Sequence, residues 1–176
     1  MLDFDDNFKI AKRANLIQNN VMQVAIGLHP TYFEEVTVQR DLEDNIYEKS
    51  QKERKKFIEI FNKNKEEISA IGECGLDYYQ FSINQTYSDD TKEQLKEVQK
   101  LMLQEEIHLA LENSLPLSIH ARDQMGSNEC IDDTIRIVAE EGKGLLQGSF
   151  HSYTGSLEQL EQILALGFHV GFNVNW

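Results

Sequence analysis

Glu73 in AIGECGLDYY, His120 in LSIHARD and His151 in GSFHSYTGS each close a short β-rich apolar run that a loop and a helix-like segment follow. One carboxylate and two imidazoles are a donor set for a divalent ion: zinc takes neutral imidazole nitrogen and carboxylate oxygen, and the same mixture also accepts manganese. Three protein ligands with a fourth position left open is the pattern of a catalytic site, in which the ion activates water for hydrolysis. Each residue alone has a plainer use. A carboxylate at a strand end can satisfy backbone donors, and a single histidine can be a core residue bonded to a carbonyl. Their recurrence at three successive strand ends is what points to a metal.

The elements that must bring them together alternate. Strand-like runs cover 21–28, 68–72, 115–120, 145–151 and 168–173, each short and bounded by turn residues. Between them the apolar spacing turns helical. Phe57 and Phe61 lie on one helix and Leu95, Val98, Met102, Leu103, Ile107 and Ala110 on a long one over about 92–112; Ile131, Ile135 and Val138 follow, then Leu157, Leu160 and Leu164. Ser50 with Glu53, Thr91 with Gln94 and Ser156 with Gln159 have capping-box spacing. Strand–helix alternation implies parallel pairing, in a doubly wound sheet or a (β/α) barrel. A barrel gathers residues from several strand ends at one site, whereas an open sheet gathers mainly those beside its switch point. Ligand-type residues on three strands favour the barrel, with residues 1–176 as one α/β domain.

Composition bounds the function. The chain of 176 residues is 40% hydrophobic and 27% charged, ordinary for a soluble globular domain. Its net charge of −13 opposes extended duplex binding, because an acidic surface repels the phosphate backbone; a strand end held locally by metal ions remains open. The basic stretch QKERKKFIEIFNKNK reads as a solvated helix face. Two cysteines, Cys74 and Cys130, cannot form a disulfide framework, and the acidic start MLDFDDNFKIAKR is unlike a secretory signal. An intracellular location, cytoplasmic or nuclear and away from the membrane, is the expectation.

GLHPTYFEE (27–35), AIGECGLDYY (70–79), SIHARD (118–123), FHSYTGS (150–156) and GFHVGFN (167–173) together resemble, in order and spacing, the TatD-type metal-dependent deoxyribonucleases. The insert QFSINQTYSDDTKEQLKEVQ is more similar to the eukaryotic branch. The resemblance implies a TIM barrel of the metal-dependent hydrolase type whose two-metal centre hydrolyses phosphodiesters, typically from a DNA 3′ end. It implies that Glu73 is the bridging, catalytic carboxylate and that His120 and His151 complete the second metal site. His29 matches a histidine lining the substrate pocket. Arg122 matches an arginine beyond the strand-four histidine, placed to orient the substrate phosphate during catalysis. Asp77 and Tyr78 fall in the family's GLD-aromatic turn.

The family's opening His-x-His pair and its late E-T-D aspartate have no counterpart here. A full barrel needs about 250 residues, so the chain is expected to hold strands two to six of eight, truncated at both ends. It is then expected to bind at most one zinc, magnesium or manganese ion, to be impaired as a nuclease, and to self-associate through open sheet edges. An inactive TatD-like paralogue or scaffold, and a hydrolase of the same superfamily acting on a non-DNA substrate, are alternative readings. His29 could instead be a turn residue, and Arg122 with Asp123 a local ion pair. Cys74 should point away from Glu73 by strand alternation, and His108 and His169 read as structural.

Overall fold

A computed structural model describes residues 4–18, 21–32, 46–83 and 87–173. The end of the GLHPTYFEE motif and residues 84–86 of the insert lie outside these. In chain order the elements are α1 (Asp5–Ile17), β1 (Val24–Ile26), α2 (Ile46–Asn64), a 3-10 turn (Lys65–Glu67), β2 (Ile68–Asp77), α3 (Tyr79–Ile83), α4 (Asp89–Asn113), β3 (Leu117–Arg122), α5 (Glu129–Gly142), β4 (Gly148–Phe150), α6 (Leu157–Ala165) and β5 (His169–Val170).

All four pairings are parallel and the strand order is β1-β2-β3-β4-β5. Each strand lies beside its predecessor, so the order never reverses as a doubly wound sheet requires. This is the arc of a (β/α) barrel, open between β1 and β5 among the described residues.

The long helix α4 packs on β2, α5 packs on α4, β2 and β3, and α2 packs on α4. The stripe foreseen on α4 is buried in full: Leu95, Val98, Met102, Leu103, Ile107 and Ala110. Full burial of each large aliphatic among them contributes about 1.5–3 kcal/mol. Phe57 and Phe61 of α2 and Ile131, Ile135 and Val138 of α5 enter the same core.

Two capping assignments need correction. Helix α4 starts three residues earlier than the Thr91 spacing indicates: Ser88 is its N-cap and accepts the Thr91 N–H at 3.1 Å, while Gln94 donates to Asp90. Ser and Thr share the capping preference, so local spacing alone offered two frames. Ser50 lies inside α2 and donates to Tyr47 O, and Glu53 is buried against the Tyr32 hydroxyl at 2.8 Å and paired with Lys56. Ser156 and Gln159 do form a reciprocal capping box at α6.

Candidate metal centre

Four adjacent strands carry the site. His29 follows β1, Glu73 lies within β2, His120 within β3, and His151 directly follows β4. In the β2–β3 ladder Gly72 faces Ser118 and Cys74 faces Ile119, so Glu73 is the extra residue of a β-bulge. A bulge re-aims a side chain out of the pleat. Cys74 takes the opposite face and is fully buried, where the loss of hydration pushes its thiol well above the usual range.

Glycine makes this close packing feasible at two places. Gly75 has φ +136°, and a Cβ there would stand 1.9 Å from the His120 carbonyl oxygen. A Cβ at Gly27 would stand 2.8 Å from the Glu73 carbonyl oxygen. The backbones of β1, β2 and β3 therefore lie flush beside the side chains they present.

Glu73 is the hub. Its Oε1 lies 3.2 Å from His120 Nδ1 and 3.6 Å from His29 Nε2, and it is in close contact with His151 Nε2. The His29 and His120 ring centroids are 4.6 Å apart and those of His120 and His151 5.5 Å. One donor atom from each of His29, Glu73 and His120 falls within a mutual 4.8 Å. His151 joins through its contact with Glu73. Burial, followed by the neighbouring His120, holds His29 below the ordinary histidine range, against the opposing pull of Glu73. A neutral imidazole is the form that ligates.

The donor set fits a divalent ion. His120 Nε2 lies 2.9 Å from Asp77 Oδ2, a carboxylate only 2% exposed. A ring N–H donating to Asp77 leaves the Nδ1 lone pair facing Glu73, an arrangement that a cation stabilises. His151 Nε2 is likewise buried against Glu73 without an acceptable hydrogen bond among the described residues, despite the short contact. Its Nδ1 is 3.2 Å from Ser152 Oγ.

Asp77 is the functional residue that the motif reading left without a role. It closes β2 four positions after Glu73, and its Oδ1 accepts the Tyr79 N–H at 3.0 Å. Gln99 of α4 donates to Asp77 O at 3.2 Å and accepts Asp77 N–H at 2.9 Å. The available signal was an acidic residue at the end of a strand that already carries a ligand. Asp77→Asn would present an amide N–H to His120 Nε2 and turn the ring N–H toward Glu73. We expect zinc affinity to fall about 10- to 100-fold with the fold intact, as read by chelator competition alongside circular dichroism.

Around this centre the remaining residues divide. The Arg122 guanidinium lies 3.7 Å from the Tyr79 ring centroid, and its N–H groups make no hydrogen bond or ion pair with another described residue. Asp123 is not its partner; the Asp123 carboxylate accepts the Cys130 N–H at 2.7 Å, at the start of α5. Tyr78 is buried and donates to Asp133 at 2.9 Å, tying β2 to α5. His108 pairs with Glu141 at 2.8 Å, and His169 is exposed in β5.

A family model described as TatD related DNase matches residues 2–176. The chain belongs to this family. The fold agrees: a crystal structure of a TatD family hydrolase from Entamoeba histolytica superposes with a TM-score of 0.59 at 25% identity, over 96% of this chain and 48% of that one. Deoxyribonuclease Tat-D of Schizosaccharomyces pombe is 29% identical over 120 residues, 67% of this chain and 34% of that protein. An uncharacterized metal-dependent hydrolase of Buchnera aphidicola is 33% identical over 110 residues, 62% of this chain and 35% of that protein. The chain thus spans about half the length of the TatD structure, and the matched region about a third of each of these two curated relatives. The expected α/β barrel-type fold stands. No helix among the described residues is long and apolar enough to cross a membrane.

Proposed function

We propose that this chain carries part of the active site of a phosphodiesterase that removes nucleotides from a DNA 3′ end. The observation that carries the reading is the convergence of His29, Glu73, His120 and His151 from four adjacent parallel strands, toward their C-terminal ends. Function in (β/α) barrels is built at that face. Glu73, His120 and His29 would hold a divalent ion, with His151 joining through its contact with Glu73. A bound zinc, magnesium or manganese ion would supply Lewis acidity and an activated water.

The protein's own groups then have distinct tasks. Asp77 holds the His120 ring so that Nδ1 faces inward. Arg122, held over the Tyr79 ring, offers its planar fork to a phosphate, which suits a guanidinium better than an ammonium. His29 is close enough to the centre to line the pocket beside the reacting group. The net charge of −13 favours a strand end over a long duplex, because few phosphates then approach the acidic surface. The name of the S. pombe relative supports DNA as the substrate; that of the Buchnera relative supports only the broader hydrolase class.

A 5′-labelled oligonucleotide incubated with the protein and added manganese or magnesium tests the reading. Stepwise shortening from the 3′ end, abolished by chelator and by Arg122→Ala at unchanged metal content, is expected. Hydrolysis of non-nucleotide phosphodiesters or of amides in a substrate panel, with the oligonucleotide left intact, would replace it with the broader hydrolase reading.

A further inference from the structure

Helix α4 carries two polar residues on its otherwise apolar core face, Gln99 and Glu106, both buried. They are seven residues apart and so share that face. Each reaches the C-terminal end of a strand. Gln99 brackets the backbone of Asp77 at the end of β2. Glu106 Oε1 accepts the N–H of Leu28 at 2.7 Å, just past the end of β1. The β1–β2 ladder stops at Ile26 opposite Ile71, so Leu28 takes its partner from a side chain on the helix. The next residue is His29.

Glu106 is an expensive choice for a structural role. It is fully buried, its Oε2 has no hydrogen-bond partner among the described residues, and burial pushes its carboxyl well above the usual range. A half-satisfied buried carboxyl is less favourable than an apolar residue of similar size. The single bond it makes fixes the backbone from which the His29 ring projects, with Nε2 3.6 Å from Glu73 Oε1.

Resting on the reading of this cluster as a metal centre, we infer that Glu106 is a positioning residue, which sets the approach of His29 to the centre by holding Leu28 N–H from helix α4. Gln99 does the same for Asp77, and through it for His120, so α4 aligns two strand ends by the spacing of two buried polar side chains.

Co2+ binding to the chain, followed by visible absorption and by competition with a chelator, tests this. Glu106→Gln keeps an acceptor for Leu28 N–H and is expected to bind Co2+ within about twofold of the unaltered chain. Glu106→Leu removes it and is expected to weaken binding about tenfold, in the range for residues that orient a ligand, with a changed Co2+ spectrum. Leu103→Ala, a cavity in the same helix, is the control for mere loss of stability: it should lower the melting temperature without moving the Co2+ spectrum. A Glu106→Leu chain that binds Co2+ normally, or a Leu103→Ala chain that loses as much, overturns the inference. Unchanged binding in His29→Ala overturns the placement of His29 at the metal and this inference with it; loss in His29→Ala but not in Glu106→Leu overturns the inference alone. If Glu106→Leu does not fold, hydrogen exchange on the unaltered chain decides: the Leu28 amide should exchange slowly, and fast exchange overturns the inference.

Discussion

Glu73→Ala is expected to lower the affinity for zinc or manganese by at least about 100-fold, more than the 10- to 100-fold typical of residues that only orient a ligand. Glu73 Oε1 is the one atom in contact with His29, His120 and His151. Removing it deletes the carboxylate that the three imidazoles share and leaves them facing each other with no common anion. His120→Ala should approach the same loss, because that ring joins Glu73 to the buried Asp77. The Glu73 side chain is partly exposed, so Glu73→Ala should fold with little change in melting temperature, whereas His120→Ala also strips the buried Asp77 carboxylate of a partner and should lower it. Metal content after dialysis against a weak chelator is the measurement, and the unaltered chain should hold at most one ion. Two tightly held ions per chain, or undiminished binding without Glu73, would show that the ligands lie elsewhere.

Gly75→Ala is expected to be among the most destabilising substitutions in the molecule, at about 3–5 kcal/mol. The new Cβ would sit 1.9 Å from the His120 carbonyl oxygen, a backbone atom that cannot move aside without parting β2 from β3. The backbone also holds φ +136° there, which L side chains resist. The gap would open between Glu73 and His120, so metal affinity and stability should fall together. Gly126→Ala is the comparison: φ is +79° but nothing lies within 4 Å of the added Cβ, so only about 1 kcal/mol of backbone strain is expected. Urea denaturation with metal titration separates the two. Equal small effects would mean that the β2–β3 contact is looser than described.

How the site is legible differs residue by residue. Glu73, His120 and His151 could be picked out because a titratable residue that ends an apolar run, repeated along the chain, is uncommon without a purpose, and the apolar spacing of α4 located its core face. His29 could be found but not placed; only the parallel pairing of β1 with β2 shows that it reaches Glu73 as closely as a ligand would. Asp77 looked like part of a turn because its partner, His120, is far along the chain and meets it across adjacent strands.

The sequence by itself determined the alternation of strands and helices, the core-facing stripes, the acidic charge and the identity of the donor atoms, since all of these are local properties of residue type and period. Only the tertiary structure decided which donors share a point in space. That depends on strand order, on the bulge that turns Glu73 out of the pleat, and on the absence of a side chain at Gly75, which lets two strands approach. It also decided that Gln99 and Glu106, two polar residues that an amphipathic reading would assign to solvent, are buried and hold strand ends. Long-range register sets these contacts, and residues that meet through it carry no shared local pattern.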